Sequence, residues 1–345
     1  MKRIFLGLVL VFILAGAWLG YQKMAALAKK LQATKTQYLG KIILGAETWP
    51  GYLPLFVARD KGYFRELGLN VEIKRYPGLG ELSKDYVAGK MQGRANLTLD
   101  AVNEFLQGLD HKIVAVIDHS KGSDAIWARD DLKTVMDFRG KKVAFEFDTL
   151  EEFFITWVLK QHGMSVSDIV PVFGDPEKAV RMLLAGEADV AVSHEPYLSR
   201  LAKSEHFHRV FSSADAPGLV TDILTFRTDF VEAYPKTVEA ILRAYFKGLT
   251  FWKEHPEEAC AIVAREFGDT PDGIATQLKG IKMLDEHDNQ IAFTFAAGLK
   301  SLYGNMRQIG RFVLEHSAVN SPSINTDDLI ERRFVQKMPL KKITM

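Results

Sequence analysis

The sequence predicts an α/β protein of two similar lobes followed by a helical end, and three observations lead there. Short apolar runs alternate with segments of helical period from residue 41 to residue 192. The order strand, helix, strand, helix, strand runs once before Leu99 and again between Lys142 and Val192. After Asp222 the pattern turns to long helices. The 345 residues, 47% hydrophobic and 25% charged, suffice for two proper cores.

Residues 1–28 stand apart. Lys2 and Arg3 precede a charge-free apolar run from Ile4 to Tyr21, the pattern of a signal peptide or a signal anchor. Ala15-Gly16-Ala17 sits inside the run, and Ala26-Leu27-Ala28 lies beyond it, better placed for cleavage. No cysteine lies at the end of the run, which excludes a lipoprotein anchor. Residues 29–40 read as a polar spacer. Uncleaved, the segment would tether the chain to a membrane.

The body begins with the strand Ile42–Ala46, and Pro54 with Leu53, Phe56 and Val57 starts a helix that Gly68 closes. Val71–Ile73 is a strand, Leu82–Ala88 a helix ended by Gly89, and Ala95–Leu99 a strand. Ile113–Ile117 is continuously apolar, as a strand buried on both faces requires. Lys142–Phe145 restarts the series, and Thr149 offers an N-cap to a helix whose stripe is Leu150, Phe153, Phe154, Trp157 and Val158. Val170–Phe173 is a strand, Pro176 opens a helix closed by Gly186, and Ala188–Val192 is a strand. Gly93–Leu99 aligns with Gly186–Val192, the echo expected of two similar lobes. Pro235–Trp252, Pro256–Phe267 and Phe293–Leu314 read as helices. The connections between lobes are expected near Asp131–Arg139 and Gly218–Phe226.

Ligands of open α/β sheets gather beyond the carboxyl ends of the strands. There the sequence offers Glu47, Trp49 and Tyr52, then Asp100, then Asp118 to Asp124, then Glu146 to Thr149, then His194, Glu195 and Tyr197, with Asp222 near the return. The set is acidic and aromatic and poor in arginine, which suits a cationic centre. Glu151 and Glu152 in a helical first turn already neutralise the dipole there and argue against a strong anion. Each has a plainer explanation: Trp49 as core, Asp100, Asp148 and Asp222 as caps, Glu195-Pro196 as a helix start, His119 and His194 as hydrogen-bonded structural residues. A net charge of +1 without a basic-aromatic patch speaks against nucleic acid. Cys260, the single cysteine, reads as a core thiol. No Gly-rich phosphate loop, G-x-S-x-G, H-E-x-x-H or His/Cys metal spacing is present, so neither enzyme chemistry nor a cofactor or metal is expected.

Ala46-Glu47-Thr48-Trp49-Pro50-Gly51-Tyr52, Lys61-Gly62-Tyr63-Phe64, Gly68-Leu69-Asn70-Val71, Asp118-His119-Ser120-Lys121-Gly122-Ser123-Asp124, Phe138-Arg139-Gly140-Lys141-Lys142-Val143-Ala144, Ala185-Gly186-Glu187-Ala188-Asp189 and Glu195-Pro196-Tyr197 follow one another in an order that resembles the nitrate/sulfonate/taurine/pyrimidine-precursor solute-binding family, the NMT1/THI5-like proteins. The resemblance covers about residues 41–300. It implies a type II periplasmic-binding-protein fold: two α/β lobes joined by two crossovers, with a helical C-terminal region packing on lobe 1. It also implies an extracytoplasmic, periplasmic monomer that hands a small molecule to an ABC permease and its ATPase. Lobe 1 would comprise residues 41–135 and 225–345, and lobe 2 residues 136–224. Carried onto this chain, the ligand contacts would be Trp49, Tyr52, Asp100, Ser120, Gly122, Asp124, Thr149 and Glu195, beside Asp222 read from its own position. Asp148, Glu151 and Glu152 depart from the uncharged helix start that anion binders of this kind offer. The expected ligand is therefore amine-bearing, zwitterionic or heteroaromatic, with a membrane-tethered solute sensor subunit or a nitrate/alkanesulfonate binder as the alternatives. An enzyme of pyrimidine-precursor synthesis would need a cysteine-rich motif that this chain lacks.

Overall fold

The computed structural model describes residues 18, 20–24, 37–316 and 323–338. Most of the apolar N-terminal run (residues 4–17 and 19) and both cleavage sites lie outside the described residues. Among the described residues no helix is long and apolar enough to cross a membrane.

The first half runs β1 (Lys41–Glu47), α1 (Leu53–Asp60), α2 (Tyr63–Glu66), β2 (Asn70–Tyr76), α3 (Leu79–Val87), β3 (Gly93–Leu97), α4 (Thr98–Leu106) and β4 (His111–Ser120). Next come β5 (Asp124–Arg129), β6 (Lys142–Phe145), α5 (Leu150–Gln161), β7 (Val170–Phe173), α6 (Pro176–Leu184), β8 (Val190–His194) and β9 (Phe207–Ser212). The chain returns through β10 (Thr221–Arg227), α7 (Thr228–Ala233), α8 (Pro235–Glu254), α9 (Pro256–Phe267), α10 (Pro271–Leu278), β11 (Ile281–Met283), α11 (Glu286–Ala292) and α12 (Leu302–His316).

Two sheets result, ordered β11-β4-β10-β3-β1-β2 and β7-β6-β8-β5-β9. In the first, β2, β1 and β3 are parallel; in the second, β7, β6 and β8 are. One antiparallel strand joins each trio: β10 beside β3, and β5 beside β8. Each of these strands arrives from the other sheet. Residues 121–123 lead from β4 to β5, and residues 213–220 lead from β9 to β10. The two sheets thus exchange a strand at each crossover. The change of sheet after β4 falls well before the expected Asp131–Arg139, because β5 is already a strand of the second sheet. Asp118 to Ser120 likewise lie in β4 rather than in a loop. The return connection ends at Val220, so Thr221–Arg227 is strand and not linker.

The helical end packs on the first sheet as expected. Residues of α8 and α9, including Ile241, Tyr245, Leu249 and Val263, share one buried cluster with β1 and α1. Gly248 permits the closest approach, since a Cβ there would overlap the Pro54 carbonyl. Cys260, 3% exposed, is a core residue. Several expected boundaries shift: the helix from Leu53 ends at Asp60, the helix expected over Leu82–Ala88 spans Leu79–Val87, and the strand expected over Ala188–Val192 spans Val190–His194. Leu99 belongs to α4, not to β3, and Phe293–Ser301 is not helical: the last long helix begins at Leu302. That helix reaches across to α5, with the Phe153 and Phe312 rings 5.2 Å apart.

Candidate functional site

The turn after β1 owes its shape to its sequence. Pro50 and Pro54 fix φ at the starts of the 3-10 turn Pro50–Tyr52 and of α1, where no N–H is needed. Gly51 between them passes so close to β4 that a Cβ would overlap Asp118 Oδ2 and Trp49 Nε1. The turn holds two aromatic donors over the sheet. Trp49 Nε1 donates to Asp118 Oδ2 at 3.1 Å, and the Tyr52 hydroxyl donates to Asp222 Oδ1 at 2.5 Å.

Asp118 and Asp222 are opposite each other in the antiparallel β4–β10 ladder. Both are buried, at 0% and 2% exposure. Burial raises the Asp118 carboxyl well above the usual range, against the Trp49 hydrogen bond, with the charge of Asp124 adding to it. Burial also raises Asp222, reinforced by the charge of Asp118. Tyr245 on α8 lies in the field of both, and its phenol is pushed up, first by burial and then by those charges. The Tyr245 hydroxyl and Asp118 Oδ1 are buried without a hydrogen-bond partner.

A second group joins the two halves. His194 ends β8 directly across from Asp124, the first residue of β5. Its Nδ1 lies 2.9 Å from Glu151 Oε1 in the first turn of α5. Burial alone would lower the imidazole, but Glu151, Asp124 and Glu47 raise it to about 9, so it is a cation at neutral pH. Glu47, at the end of β1, is raised to about 7 by burial and by Asp100, against the pull of His194. Asp124 is raised to about 6 by burial, and its Oδ2 is buried without a partner. Burial would raise Glu151 too, but the His194 and Thr149 hydrogen bonds hold it below its usual range. Glu47 from the first sheet and Glu151, His194 and Asp124 from the second thus act on one another across the gap between them.

The expected residues divide accordingly. Trp49, Tyr52 and Asp222 meet around Asp118, a residue read only as one of a loop run. Asp124 meets His194, expected to be structural. Asp100 is raised to about 6 by burial and adds its field to Glu47, while its Oδ2 accepts from Leu97 N at 3.3 Å as a first-turn cap. Thr149 precedes α5 but its side chain does not cap it; its single hydroxyl hydrogen is shared between Glu151 Oε2 at 2.8 Å and Glu146 O at 3.0 Å. Ser120 and Gly122 serve the crossovers. Ser213 Oγ lies 2.7 Å from Ser120 Oγ and accepts from Gly122 N at 2.7 Å, tying the two connections together. Gly122 has φ 114°, which favours glycine. The Glu195 carboxylate turns to Ser199, accepting from its N and Oγ at 3.1 and 2.7 Å, and joins neither group. His119 binds Thr221 Oγ1 at 2.9 Å as a buried structural residue. Tyr245 and Ser213 had no signal in the sequence, since each is recruited from a distant element. Among the described residues no three His, Cys, Asp or Glu side chains are arranged to hold a metal ion.

Residues 49–259 match the NMT1/THI5-like family. A candidate aliphatic sulfonates-binding protein of Bacillus subtilis is 24% identical over 213 residues, covering 60% of this chain and 64% of that protein, just under two thirds of its length. Among solved structures, the periplasmic aliphatic sulphonate binding protein SsuA of Escherichia coli superposes with a TM-score of 0.71 at 16% identity, over 86% of this chain and 99% of that one. The periplasmic nitrate-binding protein NrtA of Synechocystis superposes with a TM-score of 0.56 at 16% identity, over 87% and 98%. The fold is that of the periplasmic binding proteins.

Proposed function

The chain belongs to the NMT1/THI5-like family, and from that premise we propose that it is the extracytoplasmic solute-binding component of an ABC importer. It captures a small organic solute between its two halves and passes it unchanged to a membrane permease driven by a cytoplasmic ATPase. The roles named for the similar proteins support this class of function. We take the lobes to divide at the changes of sheet, residues 121–123 and 213–220, so that closure about the Ser120–Gly122–Ser213 tie would bring Glu47 and Trp49 toward Glu151 and His194.

The similar proteins are named for sulfonate and nitrate; the charge around this cleft favours a different solute. One observation carries that reading: the acids Glu47, Asp124 and Glu151 surround His194, the one cation among them. An inorganic anion would face this excess of carboxylate, whereas an ammonium or a protonated heteroaromatic base would be stabilised by it. Thr149, in the position where a helix start could receive an anion, has its hydroxyl committed to Glu151.

Isothermal titration of the purified chain with choline, ethanolamine, taurine, ethanesulfonate, nitrate and an aminopyrimidine tests both parts. Saturable binding of an amine or aminopyrimidine, weakened about tenfold or more in Glu151→Gln, is the expected result. Tight binding of nitrate or ethanesulfonate alone would overturn the charge argument and keep the transport role. A membrane-tethered sensor remains the second reading, favoured by the apolar run Ile4–Tyr21. Mass spectrometry of the mature N-terminus separates the two.

A further inference from the structure

We propose that Asp118 Oδ1 anchors the protonated nitrogen of the captured solute, and that this nitrogen takes the place of a proton held by the Asp118–Asp222 pair. The inference rests on the solute-binding reading above and deepens it: the ligand is an amine, and its capture exchanges one cation for another.

The geometry sets the problem. Two carboxylates stand opposite each other on neighbouring strands, 0% and 2% exposed. Each receives one neutral donor, Trp49 Nε1 on Asp118 and the Tyr52 hydroxyl on Asp222. Neither is hydrogen-bonded or ion-paired to a lysine, arginine or histidine among the described residues. The charged groups that act on the pair, Glu47 and Asp124, are acids as well, and Glu286 adds a further acid beside Tyr245. Two such charges in a dry site do not both ionise, so the ligand-free pair keeps a proton.

What is missing is a positive donor, and the orphaned atoms show where it fits. Asp118 Oδ1 is buried with no partner, and the Tyr245 hydroxyl, from a third element and in the field of both acids, is buried with none. A protonated amine donates to Asp118 Oδ1 and can use the Tyr245 oxygen as a second acceptor. It arrives carrying its charge. The carboxyl O–H bond of the pair then breaks, the proton goes to water, and the site is left with two carboxylates and one ammonium. Trp49 is half-buried, while Tyr52, Asp118, Asp222 and Tyr245 are wholly or almost wholly buried, so access to the pair runs past the indole. A sulfonate or nitrate there would add a third negative charge with no donor to receive it.

The test needs no buffer amine. Ethanolamine, taurine, ethanesulfonate, nitrate and choline, a cation with no N–H whose binding alone would overturn the donor role, are added to the full chain near pH 7 in salt solution; equilibrium dialysis reads binding and a pH-stat reads released acid. The expected result is saturable binding of an amine with about one proton released per amine bound. Asp118→Asn should weaken that binding about thirtyfold or more and release no acid. Asp222→Asn should still bind the amine and release acid, since burial by itself raises Asp118 and keeps its carboxyl protonated until the ammonium arrives; thermal melting shows that both variants fold. Amine binding without acid release, or undiminished amine binding by Asp118→Asn, overturns this proposal and leaves the solute-binding reading intact. Binding of ethanesulfonate or nitrate alone overturns the proposal with the amine class. Binding of none of the five by the folded chain overturns it together with the reading it rests on.

Discussion

Tyr52 donates its hydroxyl hydrogen to Asp222 Oδ1 at 2.5 Å, a bond that joins the turn after the first strand to the strand that returns from the second sheet, 170 residues later. Both partners are buried, so the bond has no water to replace it. Tyr52→Phe leaves the apolar ring in place and Asp222 with an unmet acceptor. A loss of about 1–3 kcal/mol is expected, read as a lower midpoint in urea at unchanged slope. An unchanged midpoint would show that the bond contributes nothing net.

Stability should fall as pH rises from about 6.5 to 9 in the ligand-free chain. Glu47 is raised to about 7 and His194 to about 9, and the Asp118–Asp222 pair is raised by burial. In each case the folded state holds a proton that the unfolded chain releases at lower pH, so the stability these groups contribute is present below their unfolded values and is lost on crossing the folded ones. His111 and His119, both lowered to about 4 by burial, act in the opposite direction, but only between about 4 and the ordinary histidine value of 6.5. Above 6.5 the losses stand alone. Melting temperatures across this range check the sign, and Asp118→Asn should flatten the slope.

Gly51→Ala should be far more costly than a surface glycine change. Its Cβ would overlap both Asp118 Oδ2 and the Trp49 indole nitrogen. Either the Trp49–Asp118 hydrogen bond breaks or the turn moves off β4. The expected destabilisation is about 1–3 kcal/mol, with tryptophan fluorescence altered at Trp49. Gly80 has open space around it and is the control.

Ser213→Ala removes the one hydroxyl that meets both Ser120 Oγ and Gly122 N. The fold should survive at a cost of about 1–3 kcal/mol, while the two crossovers lose their direct tie. Faster hydrogen exchange at Gly122 N and Asp124 N is the expected signature. Unchanged exchange at both would show that the connections are held by the ladders alone.

Glu47→Gln removes an acid of the first sheet that contributes to raising His194. The imidazole should then titrate at lower pH, visible in the histidine C–H resonances. A His194 titration that does not move would mean the two halves do not act on each other across the cleft in solution.

Much of this was legible in the chain. Short apolar runs placed β1, β6 and β7 within a residue or two: β1 and β6 are largely buried, while β7 is an edge strand that keeps its apolar run although Val170 and Phe173 are exposed. Pro54, Pro176, Pro235 and Pro256 marked helix starts, because a fixed φ and a missing N–H suit the first turn. The acidic and aromatic character of the site was also present, in Glu47, Trp49, Asp124, Glu151 and Asp222. Only the tertiary structure decided which of these meet. Sequence order puts Asp118 and Asp222 more than a hundred residues apart; the antiparallel β4–β10 ladder sets them face to face, and burial turns two ordinary aspartates into a proton-holding pair. Sequence order likewise leaves Glu195 beside His194, yet the turn that follows β8 sends the two side chains apart, His194 to the Glu151 carboxylate and Glu195 to accept from Ser199. Local patterns report a residue's own backbone and face; pairing, desolvation and the exchange of β5 and β10 between sheets depend on chain segments that no local pattern can see.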